Sequence, residues 1–461
     1  MQVAIWSAIG AVFIAGFVGW ANVNLQLTRQ TAFREEAIGI AEAGIDYYRW
    51  HLAHAPQDYQ DGTGGAGPYA HIFYDKDGNV LGNFTLTITA PILGSSLVTV
   101  QSKGTASSSE GTPRTIKVQL AKPSFAKYAV AANENMRFGS GTEVFGPIHS
   151  NNGIRFDGLA HNLITSAVGT YDDPDHSGAN EFGVHTHLAP VDPLPPAAVP
   201  ARTDVFIAGR QFPVPAVDFA GITADLSQIK TDAQASGFYR SASGSLGYHV
   251  VLQTDDTFKL YKITSLRSPP SGCSNGLSQS GWGTWSVNNQ SLLGTYAIPA
   301  NGLMFLEDNV WVDGQINTAR LTIAAATFPD NPATRKSITV NTNLLYTNYD
   351  GQDVLALISQ QNINVGLYSD NIFRIDAALI AQNGRAGRYY YSSSCGSNYV
   401  RNTLTLYGMI GTNQRYGFAY TNGTGYTTRD IIYDANLLYG PPPSFPLTSD
   451  QYQVISWEEV E

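Results

Sequence analysis

Seven side chains able to bind a metal crowd into one short stretch of this chain: Asp172, Asp173, Asp175, His176, Glu181, His185 and His187. Two imidazoles with a carboxylate make a donor set for zinc or a related ion, and carboxylate oxygens alone suit calcium. The spacing matches no familiar pattern, because His185-Thr-His187 is not the i, i+4 pair that one helix face presents. A solvated loop without a cofactor is therefore the expectation. Calcium on the carboxylates, or a transition metal on His185 and His187, are the alternatives.

Other groups invite chemistry less strongly. Asp350, Asp353, Asp370 and Asp376 are of the type that works in pairs on glycosidic bonds, but a β-rich chain also places aspartates at its turns, and no enzyme activity is expected. Asp75, Asp77 and Asn79 imitate the start of an EF-hand loop, yet the twelfth position is Leu86, so a plain hairpin turn is expected. The two cysteines, Cys273 and Cys395, lie in Gly/Ser-rich polar segments where an unpaired thiol is unusual, and a disulfide is the simple account. In the chain-entropy view such a bridge, closing a loop of about 120 residues, contributes roughly 4–5 kcal/mol. The aromatics Trp282, Trp285, Tyr389, Tyr390, Tyr391, Tyr399, Tyr416, Tyr420 and Tyr426 are expected to stack within a β wall, with sugar or protein stacking at the surface as the alternative.

The elements that must position these groups are mostly strands. Only 14% of the 461 residues are charged, tyrosine occurs 25 times, and the net charge of −10 is spread along the chain, as in extracellular β proteins. The 27 Lys and Arg residues form no cluster, and no nucleic-acid partner is indicated. Period-2 segments at 71–81, 83–89, 96–102 and 115–120 predict an antiparallel meander. From Met136 onward, apolar runs of about three to seven residues alternate with Gly, Asn and Asp, which suits the rungs of a parallel β-helix, an irregular sandwich being the alternative. The expected plan is mainly β: a helix at 1–55, an antiparallel sheet at 56–128, a solenoid-like body at 129–169 and 301–446, an inserted α+β region at 170–300, and a tail at 447–461.

The helix is distinctive. Its first 28 residues carry no formal side-chain charge, and residues 3–21 would cover about 28 Å, close to the hydrocarbon thickness of a bilayer. The pattern runs on without a breaker into an amphipathic stretch, where Ile38, Ala41, Ile45, Tyr48 and Leu52 form one stripe for packing on the sheet, until Pro56 ends it. A signal peptide would need a basic n-region, and nothing basic precedes Arg29. An ordinary single-span anchor explains the apolar run equally well.

The passage Ile38-Gly-Ile-Ala-Glu-Ala-Gly-Ile45 resembles the helices of type IV pilins and type II secretion pseudopilins, above all the large minor pilins, and residues 146–157, 428–438 and 441–446 are similar to passages in large pilus-assembly proteins. The resemblance implies a pilin-like helix on an antiparallel sheet. It also implies a leader removed by a prepilin peptidase, with Met1 as the N-methylated first residue, and a helix held in the inner membrane before it joins other pilin subunits in a surface filament. The assembly positions would be Met1, Ile5, Ile9, Phe13, Phe17 and Trp20. Where the family usually carries Glu at position five, this chain has Ile5, a departure shared with subunits thought to cap a filament. The expected function is a non-enzymatic minor pilin of a tip or initiation complex, displaying a β body to a surface ligand or glycan. The alternatives are a large pilin forming a homopolymer, and a membrane-anchored β-helix protein that binds or degrades carbohydrate.

Overall fold

With no proline before position 56, the chain begins as one uninterrupted helix, α1 (Gln2–His54), of 53 residues. At 1.5 Å per residue that is about 80 Å of helix. Its few polar side chains in the apolar half bond within the helix: Ser7 donates to the Val3 carbonyl at 2.9 Å, and Asn24, Thr28 and Thr31 each donate to the carbonyl four residues back. Such back-bonding satisfies the hydroxyl donors of Ser7, Thr28 and Thr31 and one amide N–H of Asn24 within the helix.

The computed structural model describes residues 2–107, 112–219 and 226–460, which together with their flanks fall into two units. The first comprises residues 1–92, 96–122 and 449–461. Its sheet is antiparallel, in the order Tyr69–Tyr74, Val80–Thr89, Val98–Ala106, Arg114–Ala121 and Gln453–Val460. The fifth strand corrects the expectation of a tail at 447–461. Its alternation is blurred by Trp457 and the pair Glu458-Glu459, but Lys117 and Arg114 on the neighbouring strand bond those two glutamates. The strands Val98–Ala106 and Arg114–Ala121 bury alternate residues, as period 2 requires on a half-covered sheet. Their inward set, with Phe84 and Leu86, meets Ile40, Ala41, Ile45, Tyr48 and Leu52 of α1. Ile38 is half-buried and packs at the edge of this core, while Ala37 and Ile40 are buried more deeply. A strict seven-residue spacing from Ile45 points to 38, whereas a straight helix drifts relative to that repeat. At Asp75 the expected hairpin turn forms, the carboxylate accepting from the backbone of Asp77 and Asn79.

The second unit, residues 93–95 and 123–448, is built from parallel ladders of short strands. One ladder starts in its middle. From Val130–Ala132 the chain adds Ile148–Ser150, Ile164–Ser166 and Arg210–Gln211 in one direction. It then restarts at Phe238–Arg240 and builds through Leu303–Leu306, Arg320–Ala325, Val354–Ser359 and Ile372–Ala381 to Val400–Thr412. There Ile410 pairs with Val130, so the last turn of chain docks on the first. Parallel pairing at two further positions per turn, such as Val310↔Ile338↔Ile363↔Ala386 and Gly314↔Leu344, carries the same stacking around the body. Leu306, Ile323, Leu357, Leu379 and Ile410, from successive strands, share one buried apolar core.

The expected insertion at 170–300 is smaller than the sequence suggested. Val184–His185, Phe238–Arg240 and Gly247–Leu252 all pair in parallel with strands of the body. The two residues of Val184–His185 and three of Phe238–Arg240, set between long polar loops, give no periodic signal to read. What remains is the antiparallel hairpin of Thr257–Leu266 and Val287–Ala297 with its loops, and a short helix, α2 (Leu226–Ser236), packed through Leu226, Ile229 and Ala233. Cys273 and Cys395 are joined in a disulfide, as expected.

Candidate functional site

Two regions draw attention, one in each unit. Among the described residues the apolar half of α1 is left exposed: Phe13 is 75% exposed, Phe17 68%, Trp20 64%, Ile5 54% and Ile9 41%. Met1 lies outside the described residues. This is a helix long and apolar enough to cross a membrane, and none of its most apolar window is buried. Burying apolar surface yields about 25 cal/mol per Å², so such a surface is not left in water by a folded protein.

The second region is the ligand-rich stretch, which is exposed over residues 174–180 but not solvated throughout. Asp173, Glu181 and His185 are buried, His185 completely. Val184–His185 pairs beside Ile154–Phe156, and the next-door alternation brings His187 to the same cluster as His185. His185 Nε2 stands 3.6 Å from Asp173 Oδ2, too long for a hydrogen bond. Glu181 Oε1 is 3.3 Å from His187 Nε2 and 3.5 Å from His176 Nδ1. Of the other residues singled out in the sequence, Asp172 is exposed and Asp175 faces Arg137 and Arg415. The i, i+2 spacing of the two histidines was the obstacle to reading this cluster: on a strand it places both on one face.

Charge in the cluster is finely divided. Burial acts to raise the Asp173 carboxyl, but the His185 ring, the Asp175 N–H and Arg155 outweigh it and hold the group well below the usual carboxylate range. Burial first, then the charge of Arg155 and the neighbouring His185 ring, push the His187 imidazole down. Arg155 is itself committed through Nε to Asp157 at 2.7 Å. Beside the cluster lies a cleft of about 750 Å³ whose wall includes His187, Arg137, Arg415 and Tyr420.

The remaining candidates serve the architecture. Asp353 accepts from the backbone of Ala319, Thr347 and Asn348, and Asp376 from Tyr346 N–H, the Tyr349 hydroxyl and Arg374. Tyr389, Tyr391, Tyr416 and Tyr426 are buried in the wall.

The architecture is that of a long N-terminal helix carrying a large β-rich body of antiparallel and parallel sheets. No protein-family profile and no curated protein matches the chain. Among solved structures it is similar to the crystal structure of the competence-associated pilin ComZ from Thermus thermophilus, at 13% identity over 93% of this chain and 98% of that one, with a TM-score of 0.32, too loose a likeness to establish a shared fold.

Proposed function

We propose that this protein is a non-enzymatic structural subunit of a pilus-like surface filament, held in the inner membrane by α1 before assembly and by contacts with neighbouring α1 helices afterwards. One observation carries the reading: a single unbroken helix is buried against its own sheet from Ala37 to Leu52 but offers Ile5, Ile9, Phe13, Phe17 and Trp20 to an external apolar partner. Lipid satisfies that surface first; a bundle of like helices satisfies it equally well, because exchanging acyl chains for apolar side chains costs little. We read the stacked parallel ladders as a β-solenoid displayed by the filament for adhesion or partner contact. The size of the body favours a minor subunit at the tip or in initiation over a densely packed shaft.

The test is mass spectrometry of sheared surface filaments and of the membranes left behind, made on cells expressing the full chain. Recovery in filaments with other pilins, at low copy number, supports the tip reading; high copy number makes it a homopolymeric shaft pilin. Recovery only in membranes, never in sheared material, overturns the filament reading in favour of an anchored surface carbohydrate-binding protein.

A further inference from the structure

Below the β body's surface, the Asp173–His187 cluster has more unmet polar capacity than a folded interior tolerates. His185 is fully buried, and neither Nδ1 nor Nε2 has a hydrogen-bond partner. Asp173 Oδ2 and Glu181 Oε2 are likewise buried without one. Each such atom is destabilising if nothing satisfies it. Yet these groups face each other. Asp173, His185 and His187 each offer a ligand atom within 4.8 Å of the others, and so do His176, Glu181 and His187, with His187 common to both sets.

The separations have a natural explanation. Ligand atoms about 2.0–2.2 Å from one tetrahedral ion lie about 3.3–3.6 Å apart. His185 Nε2 to Asp173 Oδ2 is 3.6 Å, His187 Nε2 to Glu181 Oε1 is 3.3 Å, and His176 Nδ1 to Glu181 Oε1 is 3.5 Å. We propose that Asp173, His185 and His187, with Glu181 and His176 alongside, bind one divalent transition-metal ion of the zinc class, which clamps residues 173–187 onto the β body. The imidazoles select such an ion over calcium, which takes oxygen ligands. The ion draws Asp173 Oδ2 and a His185 nitrogen into coordination together, so two of the orphaned atoms are accounted for at once. Arg155 Nη1 stands 3.6 Å from Asp173 Oδ2 and makes no hydrogen bond to that oxygen. Regular structure within the clamped segment is limited to the two-residue strands Glu181–Phe182 and Val184–His185.

The test uses the full chain in detergent micelles, stripped with a chelator, dialysed and then titrated with zinc chloride alone. One zinc per chain retained through gel filtration is expected, with a raised Tm that calcium chloride at the same concentration does not reproduce. X-ray absorption at the zinc edge of the wild type should show two imidazoles in the coordination shell, a readout that needs no variant to fold. Asp173→Asn and His187→Gln, checked by circular dichroism, should each weaken zinc binding by about tenfold or more. Folded wild type that retains no zinc, zinc retained with unchanged affinity in both variants, or stabilisation by calcium in place of zinc would each overturn the proposal.

Discussion

Gly104 lies directly beneath Ala41 where α1 crosses its sheet: a Cβ on Gly104 would stand 2.1 Å from the Ala37 carbonyl oxygen and 2.6 Å from the Ala41 nitrogen. Both neighbours are backbone, so neither can rotate away. On the helix side Gly44 mirrors it, a Cβ there meeting Ser102 Oγ at 2.3 Å and Phe84 at 2.8 Å. The helix backbone therefore rests directly on the sheet at Gly104, and at Gly44 directly on the Phe84 and Ser102 side chains. Gly104→Ala is expected to push α1 off the sheet and destabilise the first unit by about 1–3 kcal/mol, the usual cost of overpacking. Gly39→Ala is the control: a Cβ there meets nothing within 4 Å on an exposed helical position, so it should be neutral or slightly stabilising. Thermal denaturation of the two variants in the same detergent checks the pair; equal Tm values would mean the close approach is not what docks the helix.

The apolar half of α1 makes a separate prediction. Phe13 lies near the middle of the uncharged run and is 75% exposed. Phe13→Arg would place a charge near the centre of any bilayer-spanning position, at a cost of about 2.5–3.5 kcal/mol. The variant is expected to leave the membrane fraction for the soluble or aggregated one, while the far-UV spectrum of the β body stays as in the wild type. Unchanged membrane recovery would show that this half of the helix does not insert.

How much of this was legible beforehand follows from the length of each element. The helix declares itself over fifty residues, and the strands around Phe84 and Val118 alternate long enough to fix a face. The body's ladders were legible as texture, since runs such as Val354–Ser359 are fully buried and read as continuous apolar segments. Their order was not: that Ile410 should pair with Val130, 280 positions earlier, is written in no local pattern. His185 was legible as a residue type and missed as a buried one, because a two-residue strand between polar loops carries no periodicity.

Arg388 supplies a prediction about the body. It is completely buried, with no carboxylate among its hydrogen-bond partners; Nη2 donates to the Asn398 and Leu367 carbonyls at 2.7 and 3.0 Å, Nη1 to Tyr399 at 3.2 Å and Nε to Gly366 at 3.4 Å. Burial pushes the guanidinium down to about 10, so it remains charged at neutral pH. It ties the loop holding Cys395 to the preceding turn at Gly366 and Leu367. Arg388→Met fills the space but orphans those carbonyls, and should lower stability by about 3 kcal/mol or more. Reduction of the Cys273–Cys395 bridge should cost a comparable or larger amount, since its loop spans 122 positions, or roughly 4–5 kcal/mol in the chain-entropy view. Denaturant titrations with and without reductant, in wild type and Arg388→Met, measure both. Because the two devices hold one loop, the combined loss should fall short of the sum of the separate ones.

Asp434 makes the pH dependence specific. It is buried, and burial raises its carboxyl above the ordinary value; the Asn436 N–H and amide and the Tyr407 hydroxyl act the other way, while Asp376 adds a like charge that raises it further. The folded protein thus holds this proton more tightly than the unfolded chain does. The contribution to stability is full below the ordinary carboxylate value and is lost as pH rises through the folded one. Asp434→Asn keeps an oxygen to accept from Asn436 and Tyr407 but never ionises. The Tm of Asp434→Asn minus that of the wild type should therefore increase as pH is raised from about 4 towards neutrality, then level off. Taking the difference cancels the many other carboxylates that titrate in the same range. A flat difference would mean that the bonds to Asn436 and Tyr407 offset the cost of burial, and one that shrinks with rising pH would mean that they outweigh it and stabilise the charged form.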